Sequence, residues 1–295
     1  MALAVTLDIG EATQTGIDCG SDPGRSAPCS CESVMMPLLE VTELEKTFTL
    51  ENRSIPALDH LSLSIEEYEF VSILGPSGCG KSTFLHIVGG FEPATGGHVR
   101  LKGRPIGAPG PDRGMMFQEL SLFPWLTAAQ NVAWPLEMKG MPKRERLAKA
   151  AEYLDLVHLA RFADVYPGHL SGGMKQRIAL ARLFALDPDI MLMDEPFGAL
   201  DSQTRELLQE ELQSIWARSR KTALFVTHDI DEAIYLATRL IVFTARPGRI
   251  KADIRIPNLD RSGDYRKSQE YLSLRVNVWD LLRDEVLKAR AMELA

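Results

Sequence analysis

Three clusters of residues in this chain have the types and spacings that phosphate chemistry needs. The first is Gly75-Pro76-Ser77-Gly78-Cys79-Gly80-Lys81-Ser82, followed by Thr83, which fits the pattern GxxxxGK[ST]. The apolar run EFVSILG precedes it and TFLHIVGG follows it. The loop therefore stands between a buried strand and the start of a helix, the context the pattern requires. Glycines let backbone wrap closely around phosphate, and the loop N–H groups and helix N-terminus then face the anion. Lys81 is placed to reach the β and γ phosphates of a nucleotide, and the Ser82 hydroxyl to bind magnesium. A chance glycine turn before a helix is the alternative. Having strand, loop, Lys-Ser and helix in register argues against it.

The second cluster is Asp194-Glu195, directly after Ile190-Met191-Leu192-Met193. Carboxylates at the C-terminal end of a central strand lie where α/β sheets place ligands. Asp194 is the candidate magnesium residue. Glu195 is the candidate general base for a water attacking the γ phosphate. Alone, the pair would read equally well as a solvated acidic turn. The third cluster, Leu170-Ser171-Gly172-Gly173-Met174-Lys175-Gln176, puts two glycines at a helix start with Ser171 as cap, a second anion-binding helix terminus.

The elements that must position these residues follow from hydrophobic period. From Leu38 the pattern is strand-like, through LLEVTELEKTF, LDHLSLSI and EFVSILG. Leu147, Ala150, Ala151, Leu154 and Val157 recur at helical spacing, so residues 142–160 form an amphipathic helix. A second helix starts at Ser171 and turns Met174, Ile178, Ala181 and Ala185 inward. Central strands are expected at 190–193, 223–226 and 240–243, with helices over 203–217 and from 232. ARPGR is read as a turn that ends the regular core, and VWDLLRDEVLKA as part of a C-terminal helix packed on it. Alternating strands and helices make this an α/β fold with a mainly parallel sheet. Residues 1–36 are rich in Gly, Ser, Thr, Asp and Pro and are expected to be a disordered extension. That leaves 37–256 as the main domain and 257–295 as a tail.

Composition excludes several classes. No run of residues approaches the roughly 18–20 consecutive apolar positions of a membrane-spanning helix. The 33 basic and 40 acidic residues leave a formal net charge of -7, which disfavours a nucleic-acid partner. Four cysteines, at 19, 29, 31 and 79, are too few for a disulfide scaffold and suit a reducing compartment. A metal at Cys29 and Cys31 is disfavoured, because no further ligand cluster accompanies them.

The signature LSGGMKQ stands 23 residues before Asp194, Gln118 lies in MMFQE, Ala199-Leu200-Asp201 follows the acidic pair, and His228 lies in VTHD. In this order the chain resembles an ATP-binding cassette (ABC) ATPase over about residues 38–250. The resemblance implies an ABC-type P-loop fold: a RecA-like core with a mainly parallel sheet, an antiparallel β subdomain, and a helical subdomain inserted at about 119–175. It implies ATP and Mg2+ as cofactors. Gln118 resembles the glutamine that senses magnesium and γ phosphate, His228 the switch histidine, and Asp201 the aspartate linking two sites. Ser171, Gly172 and Gly173 would meet ATP bound by a second protomer. Phe48 resembles the aromatic that stacks on adenine, with a place in the core as its alternative.

The segments EKTFTL, FVSILGPSGCGKST, MMFQELSLFPWLTAAQNV, LSGGMKQRIALAR, LMDEPFGALDSQTRELLQEELQSIW, TALFVTHDIDEAIYLATR and ARPGRI are similar to nitrate, sulfonate, taurine and bicarbonate importer ATPases. Tyr68, Gly89-Gly90-Phe91 and Gly97 depart from that pattern, none of them at a catalytic position. The resemblance implies a head-to-tail homodimer on separate integral membrane permease subunits, at the cytoplasmic side of the inner membrane, with a periplasmic solute-binding protein acting indirectly. The competing class is a soluble ABC ATPase working on nucleic acid or an iron–sulfur scaffold, and a non-catalytic nucleotide-binding module is a third. The apolar stretch Phe123-Pro124-Trp125-Leu126 is expected to face the membrane subunit, its alternative being the subdomain's own core. Cys79, beside Lys81 and a helix N-terminus, reads either as a reactive thiolate or as an inert buried thiol.

Overall fold

A computed structural model describes residues 36–50, 53–198, 200–257, 261 and 265–293. Cys19, Cys29 and Cys31 lie outside the described residues, as does nearly all of the expected N-terminal extension.

The apolar runs become a six-stranded sheet. Its strands are β3 (Phe70–Leu74), β6 (Arg113–Met116), β7 (Ile190–Asp194), β8 (Thr222–Thr227), β9 (Arg239–Phe243) and β10 (Ile250–Arg255), in the order β10-β9-β3-β8-β7-β6. All neighbours are parallel except β10, which runs antiparallel at the edge. ARPGR therefore does not end the regular core, as the sequence reading expected. It reverses the chain into β10, whose half-buried alternation is typical of an edge strand and gives a weak sequence signal.

The central strands β3, β7, β8 and β9 are buried at every position because the sheet is covered on both faces. Val71, Ile73, Ile190, Leu192, Leu224, Val226, Ile241 and Phe243 join one core. Their alternate neighbours Phe70, Leu74, Met191, Met193, Ala223, Phe225, Leu240 and Val242 join the other. Strand period two thus splits each run between two layers.

The first core lies under α1 (Lys81–Gly89) and a four-stranded antiparallel sheet of β1 (Leu39–Leu50), β2 (Arg53–Ile65), β4 (Gly96–Leu101) and β5 (Arg104–Pro105). The second lies under α2 (Ala128–Met138), α3 (Lys143–Leu156), α4 (Gly172–Leu186), α5 (Ser202–Ser219), α6 (Ile230–Leu236) and α7 (Gln269–Glu293). Within α3, Ala150 and Leu154 are buried, but Ala151 is exposed, off the face the spacing assigned to it. Tyr68 takes a left-handed conformation at φ 69°, the geometry of the turn residue in its place, with its N–H held by Thr222 Oγ1 at 2.8 Å. Among the described residues no helix is long and apolar enough to cross a membrane.

Candidate active site

The phosphate loop, Asp194, Glu195 and His228 stand at the C-terminal ends of parallel strands β3, β7 and β8. The phosphate loop follows β3 and turns into α1. Gly80 has φ 105°, and a Cβ there would stand 2.7 Å from the Ala57 carbonyl oxygen, so only glycine fits. Lys81 is 5% exposed and donates to the Gly75 and Pro76 carbonyls at 2.8 and 3.0 Å. These bonds hold the ammonium over the loop, one side-chain rotation from an anion lying in it.

Asp194 ends β7 and is 6% exposed. Burial raises its pKa, and the Ser82 hydroxyl donates to its Oδ1 at 3.0 Å. A buried carboxylate paired with a hydroxyl is a hard oxygen donor set, and it fits Mg2+. Glu195 is next, at φ 44°, with its N–H on the Val226 carbonyl at 2.9 Å. A left-handed glutamate costs roughly 1–3 kcal/mol and is tolerated where surrounding structure fixes it. The bend aims its Oε2 at His228 Nδ1, 3.1 Å away. The exposed His228 follows β8, which is paired in register with β7.

Phe48 is half-buried and belongs to neither core. It lines a cavity of about 290 Å3 with Ile55, Ser77, Lys81, Ser82, Thr83 and Glu195. Gln118 lies two residues past β6, exposed, and forms no hydrogen bond among the described residues. Ser171 caps α4 by accepting from Met174 N at 3.3 Å. Neither it nor Gly172 and Gly173 lines the cavity, and a Cβ on Gly173 would meet Thr204 of α5. Asp201 caps α5 through Thr204 N at 3.0 Å, a bond that lowers its pKa. Leu200 beside it is described, whereas Ala199 lies outside the described residues.

The Cys79 thiol is not the activated group that its position beside Lys81 permitted. It is 1% exposed and turned under the loop, its Sγ 2.9 Å from where a Cβ on Gly75 would be. Burial raises its pKa despite the opposing charge of Lys81.

The sequence reading missed two supporting groups. Arg205 of α5 lies 3.6 Å from Asp229 and 3.7 Å from Glu232. Asp229 caps α6 by accepting from Glu232 N at 3.0 Å, and the buried Glu232 accepts from Thr227 at 2.6 Å. Asp229 directly follows His228, and the sequence signal of the pair is the D-x-x-E spacing of a capped helix start. The second group is Asn131, wholly buried. Its amide accepts from Phe123 N at 2.8 Å and donates to the Phe123, Leu126 and Thr127 carbonyls at 3.0–3.1 Å. It fixes the apolar stretch in which Phe123 leans on Trp134, with ring centroids 5.0 Å apart, while Trp125 is 69% exposed.

A phosphate loop, an acidic strand end and a histidine over one parallel sheet define a nucleoside-triphosphate hydrolase of the P-loop type. The family model for ABC transporters matches residues 58–198. The chain is 49% identical over 251 residues to an uncharacterised ABC transporter ATP-binding protein of Methanocaldococcus jannaschii, covering 85% of this chain and 93% of that one. It is 45% identical to the nitrate import ATP-binding protein of a Synechocystis strain (79% and 87% covered) and 47% identical to the taurine import ATP-binding protein of Rhizobium johnstonii (78% and 90% covered). A solved dimeric ATP-binding cassette in a post-hydrolysis state, bound to ADP and Pi, matches with a TM-score of 0.67 at 36% identity, over 75% of this chain and all of that one. The chain belongs to the ABC transporter family and is one of its ATP-binding cassette ATPases.

Proposed function

We propose that this chain is the ATP-hydrolysing, energy-coupling subunit of a bacterial importer for a small oxyanion or sulfonate. It would work as a head-to-tail dimer on separate permease subunits, at the cytoplasmic face of the inner membrane, with solute delivered by a periplasmic binding protein. The observation that carries the hydrolytic part is the Glu195–His228 contact of 3.1 Å beside the phosphate loop. Support for the solute class comes from the nitrate and taurine relatives.

In this reading the loop of residues 75–83 cradles the phosphates, Lys81 leaves its carbonyl partners for the β and γ oxygens, and Phe48 stacks on adenine. Ser82 and Asp194 would hold Mg2+, with Gln118 reaching it as the helical layer moves; the ion supplies charge neutralisation on the phosphate oxygens. Glu195 takes a proton from the attacking water, and His228 holds the Glu195 carboxylate and meets the γ phosphate. Ser171, Gly172 and Gly173 close on the phosphates of the partner protomer from the N-terminus of α4, and Asp201 sits between the two sites.

The exposed Trp125 supports a docking role for the stretch 123–126, because a large aromatic 69% exposed beside other apolar side chains is costly without a partner. Co-expression with candidate permease subunits tests the whole reading. The chain should co-purify with a polytopic membrane protein, and Trp125→Glu should abolish co-purification while ATP hydrolysis by the isolated chain persists. Normal assembly and transport by that variant would sink the docking assignment. Specific retention on nucleic acid with no membrane partner would favour the soluble class.

A further inference from the structure

The turn between β9 and β10 is fastened on three sides. Gly248 N–H donates to the Ala57 carbonyl at 2.8 Å, and Asp59 N–H to the Gly248 carbonyl at 3.2 Å, so the turn lies against β2. A Cβ on Gly248 would stand 2.4 Å from the Cys79 carbonyl, which makes the turn a backing for the phosphate loop. Ala245 N–H donates to Glu285 of α7 at 2.9 Å. The Thr244 hydroxyl bridges the turn, donating to the Pro247 carbonyl and accepting from Arg249 N–H, both at 3.0 Å.

The side chain this anchored turn presents to the nucleotide cavity is Arg246. Of the described residues lining that cavity, two are cationic, Lys81 and Arg246. Lys81 is bonded to loop carbonyls, whereas Arg246 is exposed and has no hydrogen-bond or ion-pair partner among the described residues. Its place in the cavity follows from the turn. Ile55 and Ala57 line the cavity from β2, and Phe48 pairs with Ile55 across β1 and β2. Arg246 therefore shares the cavity wall with Phe48, Ile55 and Ala57. Ser82 and Glu195 line the same cavity and contact Asp194 and His228, the proposed phosphate-handling groups.

A guanidinium is planar, permanently charged and carries five donors in a fork. It stacks on aromatic rings and donates to ring nitrogens and hydroxyls, which a purine and its ribose supply. We infer that Arg246 is a nucleotide-contacting residue that, together with Phe48, holds the base and ribose of the bound nucleoside triphosphate. The inference rests on the ATPase reading above.

Equilibrium binding of Mg-ATP and of Mg-tripolyphosphate to the full chain tests it, since the second ligand lacks base and ribose. Arg246→Ala should weaken ATP about tenfold and leave tripolyphosphate within about twofold. Arg246→Lys, which keeps the charge but loses the fork, should recover only part of the loss. Lys81→Ala should weaken both ligands. An equal loss of both in Arg246→Ala would assign the guanidinium to phosphate and overturn the inference, and so would unchanged ATP affinity. Should the unsubstituted chain bind neither ligand, the ATPase reading falls and this inference with it. A failure confined to the Arg246→Ala arm leaves the ATPase reading standing.

Discussion

Glu195 is the proposed general base, and its geometry gives a sharp expectation. Its left-handed backbone and its contact with His228 are set by the register of β7 against β8, and Gln is isosteric with Glu at that position. Glu195→Gln should therefore fold, bind Mg-ATP and keep the Ser82–Asp194 pair. Hydrolysis should fall roughly 10²–10⁴-fold, the range for losing a general base. Steady-state phosphate release answers this directly, and release at the unsubstituted rate would remove Glu195 as the base. Cys79 teaches the opposite lesson at the same scale. Neighbouring positive charge favours a thiolate only where the thiol is also hydrated, and burial decides against it here.

Two elements depend on one buried polar residue each. The stretch 123–127 takes its shape from the four hydrogen bonds of Asn131 rather than from its own apolar side chains. Asn131→Ala should cost roughly 2–4 kcal/mol in denaturant unfolding, because it leaves the Phe123 N–H and the Leu126 carbonyl without their partner. The loop should loosen, with greater exposure of Trp125 and Trp134 to a fluorescence quencher, and nucleotide affinity should hardly change. Unchanged stability would show that the loop does not need this anchor. Helix α7 is tied to the core by Glu285, 2% exposed. Burial alone would raise its pKa; hydrogen bonds from Lys288, Ala245 N–H and Lys251 outweigh it and bring the value from 4.5 to about 2. A carboxylate lowered on folding stabilises fully above its free pKa, and that contribution fades as pH falls from about 4.5 toward about 2. Glu285→Gln should lower stability at pH 7 by roughly 1.5–3 kcal/mol. It should also flatten the acid side of the stability curve in that window. An identical acid limb in both proteins would mean another group fastens α7.

At the scale of the whole molecule, the proposed head-to-tail dimer would complete each site with residues that do not meet within one chain. Lys81, Glu195 and Phe48 line one cavity, whereas Ser171 at the start of α4 is not among its lining residues. If active sites form between protomers, Lys81→Ala and Ser171→Arg chains should each be inactive alone. Their mixture should recover part of the activity, because one of the two composite sites in a mixed dimer is intact. ATP-hydrolysis assays on the separate and mixed proteins decide it, and full activity of the Ser171→Arg protein alone would refute the shared-site arrangement.

The sequence by itself determined the layers and the chemical groups of this protein. Continuous apolar strands, the phosphate loop and the acidic strand end are local patterns, each imposed by backbone geometry within a few residues. It left open whether Phe48, Trp125 and Cys79 face ligand, partner or core, because periodicity does not say what covers a face. It ended the regular core too early at ARPGR and passed over Asn131 and Arg246. Tertiary structure buries Cys79, puts Phe48 on a cavity wall and leaves Trp125 exposed. The antiparallel return of β10 brings Arg246, nearly 200 residues from Phe48 in sequence, into the same cavity lining. The packing of α2 buries Asn131 where the backbone of residues 123–127, the Phe123 N–H and three carbonyls, satisfies its amide. A polar or charged side chain takes its meaning from what the fold brings within about 3 Å of it, and no spacing along the chain encodes that distance.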